Sequence, residues 1–367
     1  MSIRFDNDSR IVMTLDAGGT NLKFSAIRGN ELLVGPISVP SEADDLERCL
    51  ANIVGGFESI RATLPEAPVA ISFAFPGPAD YPAGIVANVG NLPAFRGGVA
   101  LGPALEEKFG IPVFLNNDGD LFVCGEAIAG FLPYVNSLLE RAGNPKRFRN
   151  LFGITLGTGF GGGIVIDGEL LIGDNSAGGE AWLLRHKLDS RMNAEEGASI
   201  RAVRKVYAQA VGIPLEQAPE PKTICEIGLG KAEGDAAAAR EAFRQMGEVA
   251  GDAVAQALTL VDGLVVVGGG ISAAAPLFLP ALVDAMNGVF ERDGNPMPRL
   301  IPHAFNFEDA GQRAEFLKSS ARELTVPGST RKVFYDPIQR TAVGLSRLGT
   351  SEAVSIGAYA YALNRLG

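Results

Sequence analysis

Apolar residues form two strand-turn-strand patterns that lie about half a chain apart. The first covers residues 11–39, where Gly29-Asn30 separates two apolar runs, and the second covers residues 151–173, where Asp167-Gly168 does so. β-branched and apolar runs between such turns predict antiparallel strands. Two copies of one supersecondary unit predict two related α/β domains.

Helical periodicity fills much of the remaining chain. Leu101, Leu105 and Phe109 recur at every fourth position, which predicts a helix. Gly110 directly follows the segment, where a glycine commonly ends a helix. Val265-Val266-Val267 predicts a buried strand, and the chain is predicted to close with a helix at its C-terminus. Residues 291–333 are charged and mixed, with a helix predicted at 309–323 and no chemical signal.

Composition and charge narrow the class of protein. With 46 glycines, 47% hydrophobic residues and a net charge of −10, the chain reads as globular and acidic, so neither nucleic acid nor an anionic membrane is an expected partner. The cysteines Cys49, Cys124 and Cys225 lie far apart and suit a reducing, cytoplasmic compartment. A charged N-terminus and the absence of an uncharged apolar run of membrane-spanning length predict a protein that is neither exported nor membrane-spanning.

The first glycine-rich turn follows a predicted strand that ends in an acid. Asp16 is followed by Gly18, Gly19 and Thr20, whose amides can cradle phosphates. A carboxylate at Asp16 can hold Mg²⁺, directly or through water. The alternative is an ordinary hairpin that uses glycine for positive φ.

The second glycine-rich turn contains a GxGxxG pattern at Gly157, Gly159 and Gly162. A dinucleotide-binding fingerprint must open a helix, whereas these glycines run into a predicted strand. The turn is better interpreted as the other half of a phosphate clamp, with a glycine bulge as the alternative. A third cluster, 268–270, leaves a strand end open for a nucleoside.

Asn117-Asp118 stands where a predicted strand gives way to a helix. Asp118 can act as the helix N-cap, as a general base kept ionised by the nearby amides, or as both. Asp120 competes for both roles. His186 and His303 have no neighbours at zinc-ligand spacing, so a His/Cys zinc site is not expected.

Several further polar or special residues stand next to predicted turns. Each can hydrogen-bond a sugar hydroxyl or serve as an ordinary capping residue. They are Pro76-Gly77, Asn91, Glu180, and Glu195 or Glu196.

As an ordered set, these motifs resemble the ROK family of sugar kinases and repressors, from about residue 11 to residue 362 apart from 291–333. The matching segments are Asp16-Ala17-Gly18-Gly19-Thr20, Phe75-Pro76-Gly77, Asn91-Leu92-Pro93, Asn117-Asp118-Gly119, Gly157-Thr158-Gly159-Phe160-Gly161-Gly162-Gly163, Ala177-Gly178-Gly179-Glu180 and Val267-Gly268-Gly269-Gly270-Ile271. The resemblance implies the actin-like ATPase (ribonuclease H-like) fold, with two α/β domains around a cleft that binds ATP and sugar. We accordingly expect a smaller domain at 1–117, completed by the C-terminal helix 351–367, and a larger one at 118–350.

The resemblance also implies roles for individual residues. Asp118 is the expected catalytic base, and Asp16 the expected Mg²⁺ residue. The expected sugar ligands are Gly77, Asn91, Asn117, Glu180 and Glu195. The expected ATP ligands are Gly18, Gly19, Thr20, Gly157, Thr158, Gly159, Gly161, Gly268, Gly269 and Gly270.

The chain departs from the family pattern beyond Glu180. Leu183 stands where many members carry a histidine that touches sugar and zinc, and residues 191–199 replace the family's Cys-x-Cys-Gly-x-x-Gly-Cys-x-Glu zinc loop. Glu195 matches the closing glutamate of that loop, with Glu196 one residue away. Zinc is therefore not expected, and His186 would take the histidine's place only with a rearranged backbone.

The resulting hypothesis is an ATP- and Mg²⁺-dependent kinase that phosphorylates a hexose or N-acetylhexosamine, glucokinase-like at the C6 hydroxyl. A homodimer is compatible with the resemblance. Two alternatives remain: a sugar-binding pseudo-kinase, suggested by Leu183, and a sugar-responsive regulator. Only about ten residues precede Ile11, so we expect no helix-turn-helix domain. The topology of the second turn disfavours an oxidoreductase.

Overall fold

The computed structural model describes residues 5–18, 20–77, 79–87 and 92–367. The elements of the first part of the chain are β1 (Val12–Ala17), β2 (Asn21–Arg28), β3 (Glu31–Pro40), α1 (Leu46–Thr63), β4 (Ala70–Ala74), β5 (Ala79–Asp80), β6 (Ile85–Val86), α2 (Leu101–Phe109), β7 (Val113–Asn116), α3 (Asp118–Ile128) and α4 (Phe131–Arg141). The remaining elements are β8 (Leu151–Leu156), β9 (Phe160–Ile166), β10 (Glu169–Leu170), α5 (Ile200–Val211), α6 (Pro221–Gly228), α7 (Ala236–Val261), β11 (Leu264–Gly268), α8 (Ala275–Met286), β12 (Val289–Arg292), β13 (Asn295–Pro298), β14 (His303–Asn306), α9 (Ala310–Leu317), β15 (Arg322–Thr325), β16 (Lys332–Tyr335), β17 (Arg340–Leu345) and α10 (Thr350–Leu366).

The chain divides into two compact units. The first comprises Met1–Pro133, Gly163–Gly179 and Arg347–Gly367, and the second comprises Tyr134–Gly162 and Glu180–Ser346. This division falls at different residues from the expected boundary at 117/118. The reason is that α3 packs against α10 and therefore belongs with the first unit.

A five-stranded sheet of order β3-β2-β1-β4-β7 forms the first unit. β1, β2 and β3 are antiparallel, as the first strand-turn-strand pattern predicts, whereas β4 runs parallel to β1 and β7 parallel to β4. Gly110 ends α2 in the left-handed conformation with φ 68°, which confirms the predicted helix end. Burial of phenylalanine rings holds α1 and α2 to one face of the sheet, and Phe57 contacts Phe24 edge-on at 5.0 Å between ring centroids.

The opposite face of this sheet is covered by α10, which in turn packs closely on α3. Gly357 of α10 lies so close to α3 that an added Cβ would be 1.9 Å from the carbonyl oxygen of Leu121. Gly125 of α3 makes the reciprocal approach, since its Cβ would be 2.0 Å from the carbonyl oxygen of Ala353. Small residues thus set the position of α3, and with it the position of Asp118 at its N-terminus.

A six-stranded sheet has the order β10-β9-β8-β11-β17-β14, and the chain passes from the second unit to the first along β9. In the second unit β8, β11, β17 and β14 are parallel. The long helix α7 packs on α8 through Gly247 and Gly251, at which a Cβ would be 2.2 Å from a carbonyl oxygen of α8. Residues 118–141 have the length and apolarity of a membrane span, but 72% of the apolar window is buried, as expected for core helices.

Residues 289–335 carry two exposed hairpins, β12–β13 and β15–β16. The helix predicted at 309–323 is wrong in length, because α9 ends at Leu317 and residues 322–325 form β15. Side chains distant in sequence cause the early end: Asn144 and Arg340 both donate to the carbonyl of Lys318. These contacts hold the chain out of the helical path.

Candidate active site

The carboxyl edge of the first sheet brings together side chains from three separate stretches of sequence. β1 ends at Asp16-Ala17, β4 leads into Pro76-Gly77, and β7 leads into Asn117-Asp118. Asp16 is paired with Ala74 and Ala74 with Asn116. Ligands of open α/β sheets bind at the carboxyl ends of parallel strands, so this edge is the natural place for a site.

The residue that caps α3 is Asn117 rather than Asp118. Asn117 keeps an extended backbone (φ −71°, ψ 150°), and its side chain accepts the N–H of Gly119 at 2.7 Å. The predicted capping role of Asp118 is therefore wrong, because Asp118 already belongs to the first helical turn. Its Oδ1 accepts the same N–H at 2.8 Å, and the side chain is open to solvent. Asp120, the competing acid, is only 4% exposed, which leaves Asp118 as the accessible carboxylate.

The environment of Asp118 makes its carboxyl a better base than an ordinary aspartate. Protein surrounds much of the carboxyl although its surface can be reached by water, and this desolvation raises the pKa of Asp118. The negative charge of Asp16 raises the pKa further, while the backbone N–H groups of Gly119 and of Asp118 itself oppose both effects. A raised pKa moves a general base toward the operating pH.

The first glycine turn is closed by the backbone. The N–H of Gly18 donates to the carbonyl of Asn21 at 3.0 Å, and Thr20 is exposed; Gly19 lies outside the described residues. Lys23 lies opposite Asp16 in the β1–β2 register, and both line a cavity of about 360 Å³ beside the N-terminal turn of α10. Lys23 is not among the residues expected from the sequence, although its place seven residues after Asp16 on the same hairpin was the available signal.

The turn after β4 is held by a tyrosine. The hydroxyl of Tyr81 donates to the carbonyl of Phe75 at 3.0 Å, and a Cβ at Gly77 would be 3.0 Å from that hydroxyl. Gly77 therefore presents its backbone at the sheet edge without a side chain. Asn91, the expected sugar ligand that follows, lies outside the described residues.

In the second unit, two glycine clusters share one sheet edge. β8 leads into Gly157–Gly161 and β11 into Gly268–Gly270, and Gly268 is paired with Thr155. Gly269 has φ +89°, and a Cβ there would be 2.3 Å from the carbonyl oxygen of Leu156, so only glycine fits. Strand β9 begins at Phe160, within the GxGxxG pattern, so the pattern opens a strand and not a helix, which confirms the topological argument against a dinucleotide-binding fingerprint.

The two adjacent glutamates have different partners. The Oε2 atom of Glu195 accepts the N–H of Phe160 at 3.1 Å, and a Cβ at Gly159 would be 2.7 Å from it, so this carboxylate lies on the second glycine turn. Glu196 is paired with Arg201 of α5. Of the two candidates, Glu195 is the one directed at the glycine turn.

Glu180 is oriented by a residue that the sequence argument missed. The indole Nε1–H of Trp182 donates to Oε2 of Glu180, while Leu183 is 58% exposed beside them. Trp182 is the only tryptophan in the chain, and that rarity was the signal available. Glu180, Trp182 and Leu183 follow one another within a single turn.

The described residues offer few side chains that could bind a metal ion. Within residues 5–18, 20–77, 79–87 and 92–367 no three His, Cys, Asp or Glu side chains form a cluster that could hold a metal. Mg²⁺ in phosphoryl-transfer sites is held by one or two carboxylates together with waters and phosphate oxygens. The half-buried carboxylate of Asp16, at the end of β1, fits that requirement.

Comparison with known proteins shows the family to which this fold and site belong. The ROK family model matches residues 12–311. An N-acetyl-D-glucosamine kinase of Vibrio cholerae is 29% identical over 268 residues, which cover 70% of this chain and 83% of the relative. The crystal structure of a glucokinase from Parabacteroides distasonis is 52% identical and has a TM-score of 0.91, covering 98% of this chain and 99% of that chain.

A more distant structure carries bound ligands. The ROK family glucokinase from Streptomyces griseus, in complex with glucose and AMPPNP, has a TM-score of 0.62 and covers 97% of this chain and 100% of that chain. At 20% identity this likeness concerns the fold.

The chain belongs to the ROK family and has the actin-like ATPase fold of its members. It is an enzyme of the sugar-kinase class, a phosphotransferase.

Proposed function

We propose that this protein transfers the γ-phosphoryl group of ATP to the C6 hydroxyl of a hexose, with glucose as the main substrate. The glucokinase of Parabacteroides distasonis is 52% identical, whereas the curated N-acetyl-D-glucosamine kinases are 28–30% identical. The higher identity favours glucose over its N-acetylated derivative. Three cysteines without disulfide bonds agree with a cytoplasmic enzyme.

The observation that carries the proposal is the placement of Asp118. Its carboxylate is open to solvent, stands at the N-terminus of α3 and shares a sheet edge with Asp16. Desolvation and the Asp16 charge raise its pKa, which suits a group that must accept a proton. In the proposed reaction Asp118 accepts the proton of the sugar hydroxyl as the hydroxyl oxygen attacks the γ-phosphorus of ATP and the bond to the β-phosphate oxygen breaks, with ADP as the leaving group.

The remaining groups bind and orient the two substrates. We assign the phosphates to Gly18–Thr20 and Gly157–Gly161, because glycine lets phosphate oxygens approach the backbone without intervening side chains. Gly268–Gly270 would accommodate the nucleoside. When bound at Asp16, Mg²⁺ supplies positive charge to the phosphate oxygens. Gly77, Asn91, Asn117, Glu180 and Glu195 are the proposed sugar ligands.

A coupled ADP-release assay tests the proposal. The substrate panel contains glucose, mannose, fructose, N-acetylglucosamine and N-acetylmannosamine, and the key variant is Asp118→Asn. Loss of the base should lower kcat by about 100-fold or more, with sugar binding retained. Asp284→Asn, on the exposed surface of α8, is the matched control and should keep full turnover.

Two results would contradict the proposal. Near-full turnover by Asp118→Asn would remove Asp118 from the mechanism. Absence of turnover on every sugar, with binding still measurable by calorimetry, would indicate a sugar-binding protein without kinase activity.

A further inference from the structure

The segment between Glu180 and Glu195 contains a buried imidazole, that of His186. Its hydrogen-bond partners among the described residues are backbone N–H groups. His186 is 7% exposed, and its Nδ1 accepts the N–H of Leu188 at 3.1 Å and the N–H of Asp189 at 3.0 Å. The backbone N–H of His186 donates to the carbonyl of Met192 at 3.0 Å. Two donors at Nδ1 require the lone pair there, so the imidazole is neutral with its proton on Nε2.

The other edge of the ring reaches the segment that carries Glu195. A Cβ at Gly197 would be 2.2 Å from Nε2 of His186, so the ring occupies the space that a side chain at 197 would need. The backbone of the two arms is joined directly, since the N–H of Ala194 donates to the carbonyl of Leu184 at 2.7 Å. The imidazole of His186, on the outgoing arm of the loop 184–197, therefore binds the loop tip through Nδ1 and lies against Gly197 on the returning arm.

The loop ends at a carboxylate whose direction is fixed by one hydrogen bond. Glu195 follows Ala194 and accepts the N–H of Phe160 on the second glycine turn at 3.1 Å. A displacement of the returning arm would move this carboxylate. Side chains that carry a functional group are held in place by such supporting contacts.

We infer that His186 is a positioning residue, which holds Glu195 in its sugar-binding orientation because its Nδ1 fixes the tip of the loop 184–197 and thereby the course of the returning arm. The inference rests on the proposed function in that Glu195 is there a sugar ligand. The acceptor at Nδ1 holds the backbone of Leu188 and Asp189 at the tip of the loop, and the tip in turn leads into Met192, whose carbonyl accepts the backbone N–H of His186. Loss of that acceptor at constant side-chain size should therefore weaken sugar binding and leave ATP binding unchanged.

The test uses two substitutions of similar size that place an acceptor differently. In His186→Asn the Oδ1 atom stands the same number of bonds from Cα as Nδ1 of histidine, whereas in His186→Gln the acceptor is one bond further out. Gly197→Ala displaces the ring from the opposite side and does not alter the imidazole. All variants are first compared with the wild type by thermal unfolding.

The expected kinetic result is a split between the two substrates. His186→Gln and Gly197→Ala should raise KM for the sugar about 10-fold, with KM for ATP and kcat within about 3-fold of the wild type. His186→Asn should stay within about 3-fold of the wild type in all three constants. Equal sugar KM values for the Asn and Gln variants would overturn the inference, whether both match the wild type or both are impaired.

Hydrogen-exchange mass spectrometry of the peptide that covers residues 187–192 supplies a readout that does not need activity. Exchange of this peptide should be about 10-fold faster in His186→Gln than in the wild type and in His186→Asn. Unchanged exchange in His186→Gln would show that the imidazole does not hold the loop and would overturn the inference. If the wild type phosphorylates no sugar, the proposed function fails, and the exchange result still decides the role of His186.

Discussion

Addition of one methyl group to α10 should damage both the stability of the first unit and catalysis. In Gly357→Ala the new Cβ would be 1.9 Å from the carbonyl oxygen of Leu121 and 3.0 Å from the amide nitrogen of Gly125. Ordinary contact begins at 3.4 Å, so α3 and α10 must separate by 3.4 − 1.9, or about 1.5 Å. The atoms in the way belong to backbone and cannot rotate aside.

The magnitude follows from two opposing effects. Overpacking of a core costs about 1–3 kcal/mol, occasionally more, while alanine in place of glycine in a helix contributes about 1 kcal/mol in the other direction. Because the required separation is large, we expect a net loss of about 2 kcal/mol in the free energy of unfolding. Asp118 begins α3, and a displacement of a catalytic group by about 1 Å can lower turnover by about 100-fold.

Urea unfolding followed by circular dichroism measures the first effect, and the coupled assay measures the second. Gly55→Ala is the matched control, since Gly55 lies within α1 and a Cβ there meets nothing within 4 Å. That variant should gain up to about 1 kcal/mol and keep full activity. If Gly357→Ala proved as stable and as active as Gly55→Ala, the close approach of the helices would not control the placement of Asp118.

Four further outcomes are expected. Folding raises the pKa of Asp118, so its protonated carboxyl favours the folded state below the unfolded pKa, and this contribution is lost as pH rises through the folded pKa. Asp118→Asn should therefore melt at or above the wild type at about pH 8 and lose that advantage in acid. In the wild type kcat/KM should fall on the acid side with a midpoint above the ordinary aspartate value of 3.8, and a midpoint at or below it would contradict the assignment of the base. EDTA should abolish turnover, and Mg²⁺ rather than Zn²⁺ should restore it; recovery with Zn²⁺ alone would refute the proposed chemistry. Glu195→Gln should raise the sugar KM about 10-fold, whereas Glu196→Gln, whose partner is the exposed Arg201, should change it by less than about 2-fold.

The sequence alone predicted the elements whose cause is local. Gly110 ends α2 in the left-handed conformation, which glycine adopts readily, so the residue type at one position indicates the helix end. The strand pattern that continues from the glycines at 157–162 distinguished them from a dinucleotide-binding fingerprint, which must open a helix. The ordered motifs indicated the ROK family because they combine residue type with a fixed order along the chain.

Tertiary structure decided which of two neighbouring residues takes a role when both have a suitable side chain. Asn117 and Asp118 can both cap a helix, and Glu195 and Glu196 can both bind a sugar; only the backbone direction and the partners Gly119, Phe160 and Arg201 distinguish them. These partners are set by packing, so their effect cannot be derived from local sequence.

The same reason explains the elements that local reasoning missed. The end of α9 depends on Asn144 and Arg340, which lie far from it in sequence, and the role of His186 depends on the loop that folds around it. Periodicity and turn chemistry act between near neighbours and are therefore written in the sequence. Hydrogen bonds between distant residues exist only once the chain has folded, and they determine which of several suitable side chains acts.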